Sequence, residues 1–296
     1  MITESVDDIG SRITVVTVTY NSGQILPRML ASLPKSVPVI VIDNSSDDAD
    51  LVAGFVHSAG GQFVRNTDNL GFGRACNLGA ELAETELVFF VNPDVIFDST
   101  AFNALLFAVD RYPSASAFNP AIHHRGREFF RRRSVLIPRK RWMPRGWPRD
   151  DSEVVVLSGA ALLVRKTCFD LVGGFDTKIF LYHEDDDLSI RLQKKCGPIM
   201  FIRSAHIRHL DGSSLHKTVN IPAFKAWHMG HSRVYAARKH DIPWAFQRAL
   251  ASALLQVVSP LTILSARKRS KQIAFLKGVL SVSMKGSIYD VIATKE

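Results

Sequence analysis

The chain has 296 residues, 46% hydrophobic and 22% charged, the makeup of a folded protein with one large core or a core plus a small appendage, and this excludes a disordered chain. A net charge of +9 implies an anionic partner: a nucleotide diphosphate, a phosphorylated acceptor, a lipid headgroup or nucleic acid. Three scattered cysteines, Cys76, Cys168 and Cys196, form no CxxC pair, which excludes a disulfide framework and a zinc ribbon and fits a reducing cytoplasm.

Residues 1–12 are polar and acidic, lack the order of a secretory signal, and are expected to be a tail. Ile13 to Thr19, a β-branched apolar run, predicts a strand that ends in Tyr20-Asn21-Ser22-Gly23. A helix with Pro27 in its first turn follows, then a strand from Val37 to Ile42 stopped by Asp43-Asn44-Ser45-Ser46-Asp47. Leu51 to His57 reads as helix, Gln62 to Arg65 as a short strand, and Asn77 to Ala83 as part of a helix that starts near Gly73. Leu87 to Val91 is a further buried strand, ended by Asn92-Pro93-Asp94. This alternation describes a parallel sheet covered on both faces, with ligands at the carboxyl ends of its strands.

The stretch from Arg125 to Asp151 is rich in Arg, Trp and Pro without clean periodicity, and reads as a long loop. Val154 to Leu157 and Ala160 to Arg165 return to strand character, Thr167 to Val172 is a helical turn, and Leu188 to Lys195 is a helix. Beyond His209 the chain is mostly helical. Ala249 to Ala266 carries no charge but is diluted by serines, Gln256 and Pro260, so it is expected on a membrane surface or in a core and not across a bilayer.

No GxxxxGK[ST] loop is present, and Gly71-Phe72-Gly73-Arg74-Ala75-Cys76 lacks the last glycine of a dinucleotide fingerprint, which disfavours a nicotinamide enzyme. Thr19, Asn21, Asp43 and Asn44 put short hydrogen-bonding groups at adjacent strand ends, where they suit a base and ribose or simply form turns. Asp94 stands at a rigid strand end where one carboxylate near a diphosphate can help to hold Mg2+ or Mn2+. Glu184-Asp185-Asp186-Asp187 repel one another unless a cation or helix N-terminus offsets them. Asp187 can pair with Arg191, and Glu184 or Asp185 remains as a candidate base. His206 and His209 precede Asp211-Gly212-Ser213-Ser214, and an imidazole can complete a metal site begun by Asp94.

Seven blocks in order carry a resemblance: VTVTYNSG (16–23), VIDNSSDD (41–48), NLGFGRACNLG (69–79), FFVNPDV (89–95), LSGAALLVRK (157–166), VGGFDTKIFLYHEDDDLSIRL (172–192) and HLDGSS (209–214). Over residues 13–240 the chain resembles glycosyltransferase family 2, most closely the bacterial rhamnosyltransferases. The resemblance implies an α/β GT-A fold, a mainly parallel central sheet flanked by helices, with a nucleotide-sugar-binding half (13–98), an acceptor and catalytic half (99–240) and a helical C-terminal extension (241–296). It implies that Thr19, Asn21 and Asp43 hold the nucleotide, and it puts Asn69, Gly71, Asn77, Asn92 and Asp94 on the donor side. Gly159, Glu184 and Arg191 fall on the acceptor side, Asp94 and His209 become ligands of Mg2+ or Mn2+, and Asp185 becomes the general base. Asn92-Pro93-Asp94 departs from the family's DXD by offering a single carboxylate, and a QxxRW motif is absent, which argues for transfer of one sugar.

The resulting expectation is an inverting enzyme, cytoplasmic and peripheral at the inner face of the membrane. It would move L-rhamnose from dTDP-L-rhamnose to a cell-surface polysaccharide or lipid-linked acceptor in cell-wall synthesis, with the C-terminal helices on the membrane surface. Three rivals are a UDP- or GDP-sugar donor, an inactive relative, and a nucleic-acid binder using Phe129, Phe130, Trp142 and Trp147 among the arginines, although no nucleic acid is expected.

Overall fold

A computed structural model describes residues 6–124, 126–210 and 221–282, so Asp211 to Ser214 and Arg125 lie outside the described residues. The expected tail is helical from its sixth residue, α1 (Val6–Arg12), and Arg12 ties it down through Glu86 and Asp110 at 2.7 and 2.8 Å. The run ITVVTVT forms β1 (Ile13–Thr19), and α2 (Leu26–Leu30), β2 (Val39–Asp43), α3 (Ala49–Ser58), β3 (Gln62–Arg65), α4 (Phe72–Leu82) and β4 (Leu87–Val91) follow. Next come β5 (Val95–Phe97), α5 (Ala101–Arg111), β6 (Ala117–His124), β7 (Arg127–Phe129), β8 (Ser152–Val154), β9 (Ala161–Arg165) and α6 (Lys166–Leu171). The helix α7 (Glu184–Lys195) leads into β10 (Ile199–His209), and four helices close the described chain: α8 (Ile221–Lys239), α9 (Ala245–Val257), α10 (Pro260–Ile263) and α11 (Ala266–Ser281).

The chain divides into two compact units. One holds the described residues up to Thr177 and from Asp185 to Leu210; the other holds Lys178–Glu184 and the helices after residue 220.

In the first unit the strands run in the order β3-β2-β1-β4-β9-β6-β10-β5, with β7 on β6 and β8 on β10. β1 to β4 are mutually parallel where they pair, as their unbroken apolar runs predict. The second half is mixed: β9 is antiparallel to β4 and β6, β5 is antiparallel to β10, and β6 is parallel to β10. Successive residues of β4 feed opposite cores. Phe89 meets Phe97 and Phe102 on one face, while Phe90 meets Phe169 and Phe175 on the other. The β6–β10 register shifts between Ile202 and His206, opposite Pro120 and Ala121, because Pro120 has no N–H to continue the ladder.

In the second unit, α8 and α11 cross with backbones in contact. A Cβ at Gly278 would lie 2.0 Å from the Trp227 carbonyl oxygen, and one at Gly230 2.3 Å from that of Phe275. Both glycines are therefore required by the approach of the two helices.

Candidate active site

Because β1 pairs in parallel with both β2 and β4, the carboxyl ends of three strands lie side by side, and a polar loop leaves each. At the first two ends Thr19 donates from Oγ1 to Asp43 Oδ1 at 3.1 Å, the Ser46 N–H donates to Asp43 Oδ2 at 2.9 Å, and the Ser46 hydroxyl also donates to Oδ1. Asp43 is fully buried, so these donors replace the water its carboxylate has lost. Asn21 adopts φ 53°, a left-handed conformation that Asn tolerates. Its Oδ1 accepts from the Asp47 N–H and its own N–H donates to Ser46 Oγ, both at 2.9 Å. Asn44 donates to the Gly71 carbonyl at 3.1 Å, and Asn69 Oδ1 accepts from the Gly71 N–H at 3.0 Å. Thr19, Asn21, Asp43, Asn69 and Gly71 thus belong to one hydrogen-bonded set of loops. Asn77, expected on the donor side, has both ends of its amide engaged by Phe175, donating to its carbonyl at 2.9 Å and accepting from its N–H at 2.8 Å, which clamps α4 to the glycine turn before Phe175.

At the end of β4, Asp94 Oδ1 lies 3.2 Å from His209 Nε2, and both side chains are largely buried. The Leu210 N–H donates to the Asp94 carbonyl at 2.8 Å, which holds this loop to the end of β10. On the other side of the ring, His209 Nδ1 meets His124 Nδ1 at 3.3 Å, so the imidazole is held with Nε2 toward Asp94. The separation is that of a hydrogen-bonded ion pair and is also the one that two ligands at a right angle on a single ion would have, and no group of three His, Cys, Asp or Glu side chains gathers for a metal among the described residues.

The acidic run sits at the start of α7. Asp185 Oδ2 accepts from the Gly159 N–H at 3.0 Å and from Arg131 Nη1, and its Oδ1 accepts from the Asp186 N–H at 2.9 Å. The same guanidinium donates from Nη2 to Asp186 Oδ1 at 2.7 Å. Asp187 is fully buried and pairs with Arg191 at 2.7 Å, while Arg191 also donates to the Val172 carbonyl. Glu184 is buried and groups with the second unit. Just before it, Tyr182 and His183 both have left-handed φ, 66° and 68°, an uncommon strain for two successive residues with side chains. Burial and the neighbouring Glu184 carboxylate push the Tyr182 phenol up from its ordinary value.

One turn connects the two carboxylate loops. The Ala160 carbonyl accepts from the Asn92 N–H at 2.9 Å, and the adjacent Gly159 N–H is the one that reaches Asp185. Asn119, buried in β6, anchors this turn: its amide donates to the Ser158 and Ala161 carbonyls and accepts from the Ser158 N–H at 2.5 Å. Arg131, Asn119 and His124 were not anticipated as site residues. Arg131 was visible as one of many arginines, and nothing in the sequence selects it; Asn119 had only its neighbour Pro120 as a signal.

The segment from 126 to 151 has little regular structure but packs on itself and on β6 and β10. Arg133 and Arg139 stack on Trp142 at 5.4 and 5.7 Å, Trp142 donates to the Ile137 carbonyl, and Trp147 carries Arg203 over its ring and meets His123 edge to face. With Phe130 against Phe201, three of the four aromatics that a nucleic-acid binder would offer as platforms are used internally.

Residues 14–173 match the family described as Glycosyl transferase family 2. An N-acetylglucosaminyl-diphospho-decaprenol L-rhamnosyltransferase of Mycobacterium tuberculosis (strain ATCC 25618 / H37Rv) is 32% identical, across 87% of this chain and 95% of its own length. Among solved structures, the mannosyltransferase PcManGT from Pyrobaculum calidifontis in complex with GDP-Man and Mn2+ is similar, with a TM-score of 0.58 and 16% identity over 91% of this chain and 86% of that one. Residues 1–349 of S. aureus TarS give a TM-score of 0.56 at 16% identity, over 91% and 80%.

Proposed function

The chain belongs to glycosyl transferase family 2 and is a glycosyltransferase with the GT-A fold, and on that basis we propose that it transfers one L-rhamnose, with inversion, from dTDP-L-rhamnose to a lipid-linked saccharide diphosphate. The observation that carries the site assignment is the Ser158–Ala160 turn, hydrogen-bonded at once to the Asn92-Pro93-Asp94 loop and to Asp185. It ties the proposed donor and catalytic groups to one rigid point. The rhamnosyl donor and the polyprenyl-linked acceptor are taken from the 32%-identical relative, which spans nearly its whole length in the alignment.

In this reading Thr19, Asn21 and Asp43 shape the nucleotide loop, and Asn69, Gly71 and Asn92 border the donor. Asp94 and His209 would hold Mg2+ or Mn2+, which would offset charge on the departing diphosphate. Asp185 accepts the proton of the acceptor hydroxyl as the oxygen attacks the anomeric carbon opposite the leaving group, so the sugar's configuration inverts. Gly159 and Asp186 donate from their N–H groups to hold the Asp185 carboxylate in place. A protein working on such an acceptor is expected at the membrane surface, and no described helix is long and apolar enough to cross a membrane.

The test is a product assay with purified protein, a short-chain polyprenyl-diphosphate-linked GlcNAc, and a panel of dTDP-, UDP- and GDP-sugars, read by mass, with and without chelator. A deoxyhexose added only from dTDP-L-rhamnose, and lost with chelator, is the expected result. Transfer of a hexose from UDP- or GDP-sugar would replace the donor, and no transfer from any donor would reject the enzymatic reading.

A further inference from the structure

The outward face of α9 and α10 has a chemistry that sugar transfer does not use. α9 packs inward through Ala249 and Ala253, with Phe246 and Leu250 half-buried against the same core, while Leu254, Leu255 and, just past the helix, Val258 face outward, Leu255 at 71% exposure. The pattern continues in α10, where Thr262 is the buried residue and Leu261, Ile263 and the following Leu264 are exposed, the last at 84%. A helix on an ordinary water-facing surface turns its leucines to the core and its small or polar residues outward. Large apolar side chains left outward over two successive helices mark a surface that meets something apolar.

Charge says what it meets. From Ile242 to Tyr289 the sequence contains no Asp or Glu. Arg267, Lys268, Arg269 and Lys271 come directly after the apolar stretch, in the first turns of α11, where positive charge opposes the helix's own dipole. No ion pair among the described residues involves any of these four. Arg269 donates to the Ile263 carbonyl and so ties α11 to the end of α10, while the exposed Arg267, Lys268 and Lys271 project from the helix with no acid of this stretch to meet them. A surface that joins large apolar side chains to a cationic cluster without acids matches an anionic bilayer, whose acyl boundary takes the leucines and whose headgroups take the lysines and arginines.

We propose that α9, α10 and the start of α11 lie flat on an anionic lipid bilayer. The purpose of this docking rests on the reading of the acceptor as lipid-linked; the docking itself does not. The test mixes the whole chain, without donor or acceptor, with vesicles of phosphatidylcholine alone or phosphatidylcholine with phosphatidylglycerol, and sediments them. Binding to the anionic vesicles is expected to be roughly 10-fold or more the stronger and to weaken with salt. Leu255→Ser with Leu264→Ser should cut that binding roughly 10-fold or more, and Arg267→Ala with Lys268→Ala should remove the preference for phosphatidylglycerol. All four side chains are exposed, so circular-dichroism melts of these variants should match wild type and separate lost docking from lost fold.

Wild-type protein that ignores both vesicles, or variants that bind as wild type does, would overturn the proposal. So would a dimer that the leucine variant converts to a monomer in light scattering, which would make a second copy the occupant. Vesicle binding that appears only after deletion of residues 283–296 would assign the surface to that segment instead. Vesicle binding with no transfer from any donor would reject the function and leave the docking; transfer to a water-soluble acceptor by a protein that ignores vesicles would do the reverse.

Discussion

Replacing Arg131 with Ala removes the cation shared by Asp185 and Asp186. Its Nη2 donates to Asp186 Oδ1 at 2.7 Å, its Nη1 reaches Asp185 Oδ2, and the Asp186 side chain is 0% exposed. Breaking a buried pair by deleting one member costs about 3–5 kcal/mol, because the remaining charge is left unsolvated. Here Arg131 is itself 24% exposed, so water screens part of the cluster and about 2–3 kcal/mol is the expected loss. For a unit of this size that corresponds to a fall in Tm of roughly 4–12 °C. The assay is urea unfolding of Arg131→Ala, Asp186→Asn and the double variant. If Arg131 neutralises this pair, the double variant should be at least about 1 kcal/mol more stable than the sum of the single losses implies. An Arg131→Ala protein within about 0.5 kcal/mol of wild type, or additive losses, would refute the neutralising role.

Asp185→Asn keeps the shape of the side chain and should lower kcat by about 10²–10⁴-fold with donor KM little changed; retained turnover would remove Asp185 as the base. His209→Ala should weaken Mn2+ binding to the nucleotide-loaded protein by roughly 10-fold or more in calorimetry, and unchanged affinity would move the metal elsewhere. Gly278→Ala gains about 1 kcal/mol of helix propensity, but the Cβ, 2.0 Å from the Trp227 carbonyl oxygen, must force α8 and α11 apart, and a net loss of about 1–3 kcal/mol should appear in denaturant unfolding; a stabilised variant would contradict the close crossing. Burial and the neighbouring His231 push His228 down to about 4, and burial lowers His231 as well. His228 stays neutral at pH 5 when folded but takes a proton when unfolded, so its contribution to stability should be flat above about pH 7 and fall by about 2 kcal/mol by pH 5, with the lowered His231 acting in the same direction. His228→Gln should flatten that slope in urea unfolding, and an unchanged slope would assign it to other groups.

The half of the fold that was readable in the sequence is the half whose strands are buried on both faces. β1, β2 and β4 are unbroken runs of Val, Ile, Leu, Thr and Phe closed by the one acid of Asp43, and no other element suits such runs at that length. β6 reads AFNPAIHH and is unreadable on the same terms, since Asn119 and Pro120 interrupt it and histidines end it. In β10 the first four residues are all buried and alternation appears only beyond the register shift after Ile202, so an eleven-residue strand shows no single period. The expected strand at Val154 to Leu157 begins two residues earlier and stops at Val154, after which the chain turns and the Leu157 N–H donates to Ser189 Oγ. In the site, the acids were visible because their repulsion demands an explanation, whereas Arg131 and Asn119 act across 54 and 39 or more residues of sequence and leave no local mark.

The four acids at the start of α7 show how one helix can give neighbouring like charges separate tasks. Successive residues on a helix point about 100° apart, so the run fans out instead of crowding into one site. Asp187 turns to Arg191 one helical turn on, Asp186 turns to Arg131, and Asp185 turns to the Gly159 N–H at the end of the β8–β9 connection. Asp187 thus has a guanidinium of its own, while Asp186 and Asp185 share Arg131, and Asp185 takes its other donors from backbone. Backbone donors are fixed by the fold, but a guanidinium on an irregular segment can swing aside. If Asp185 is the base, as proposed, an acceptor hydroxyl reaching it would have to displace one side chain and no secondary structure, with Asp186 holding the other end of Arg131. That arrangement predicts a further asymmetry: Arg131→Lys, which keeps the charge but cannot span two carboxylates, should retain much of the stability lost in Arg131→Ala while altering acceptor KM more than donor KM. Equal effects on both substrates would mean that Arg131 does not stand in the acceptor's path.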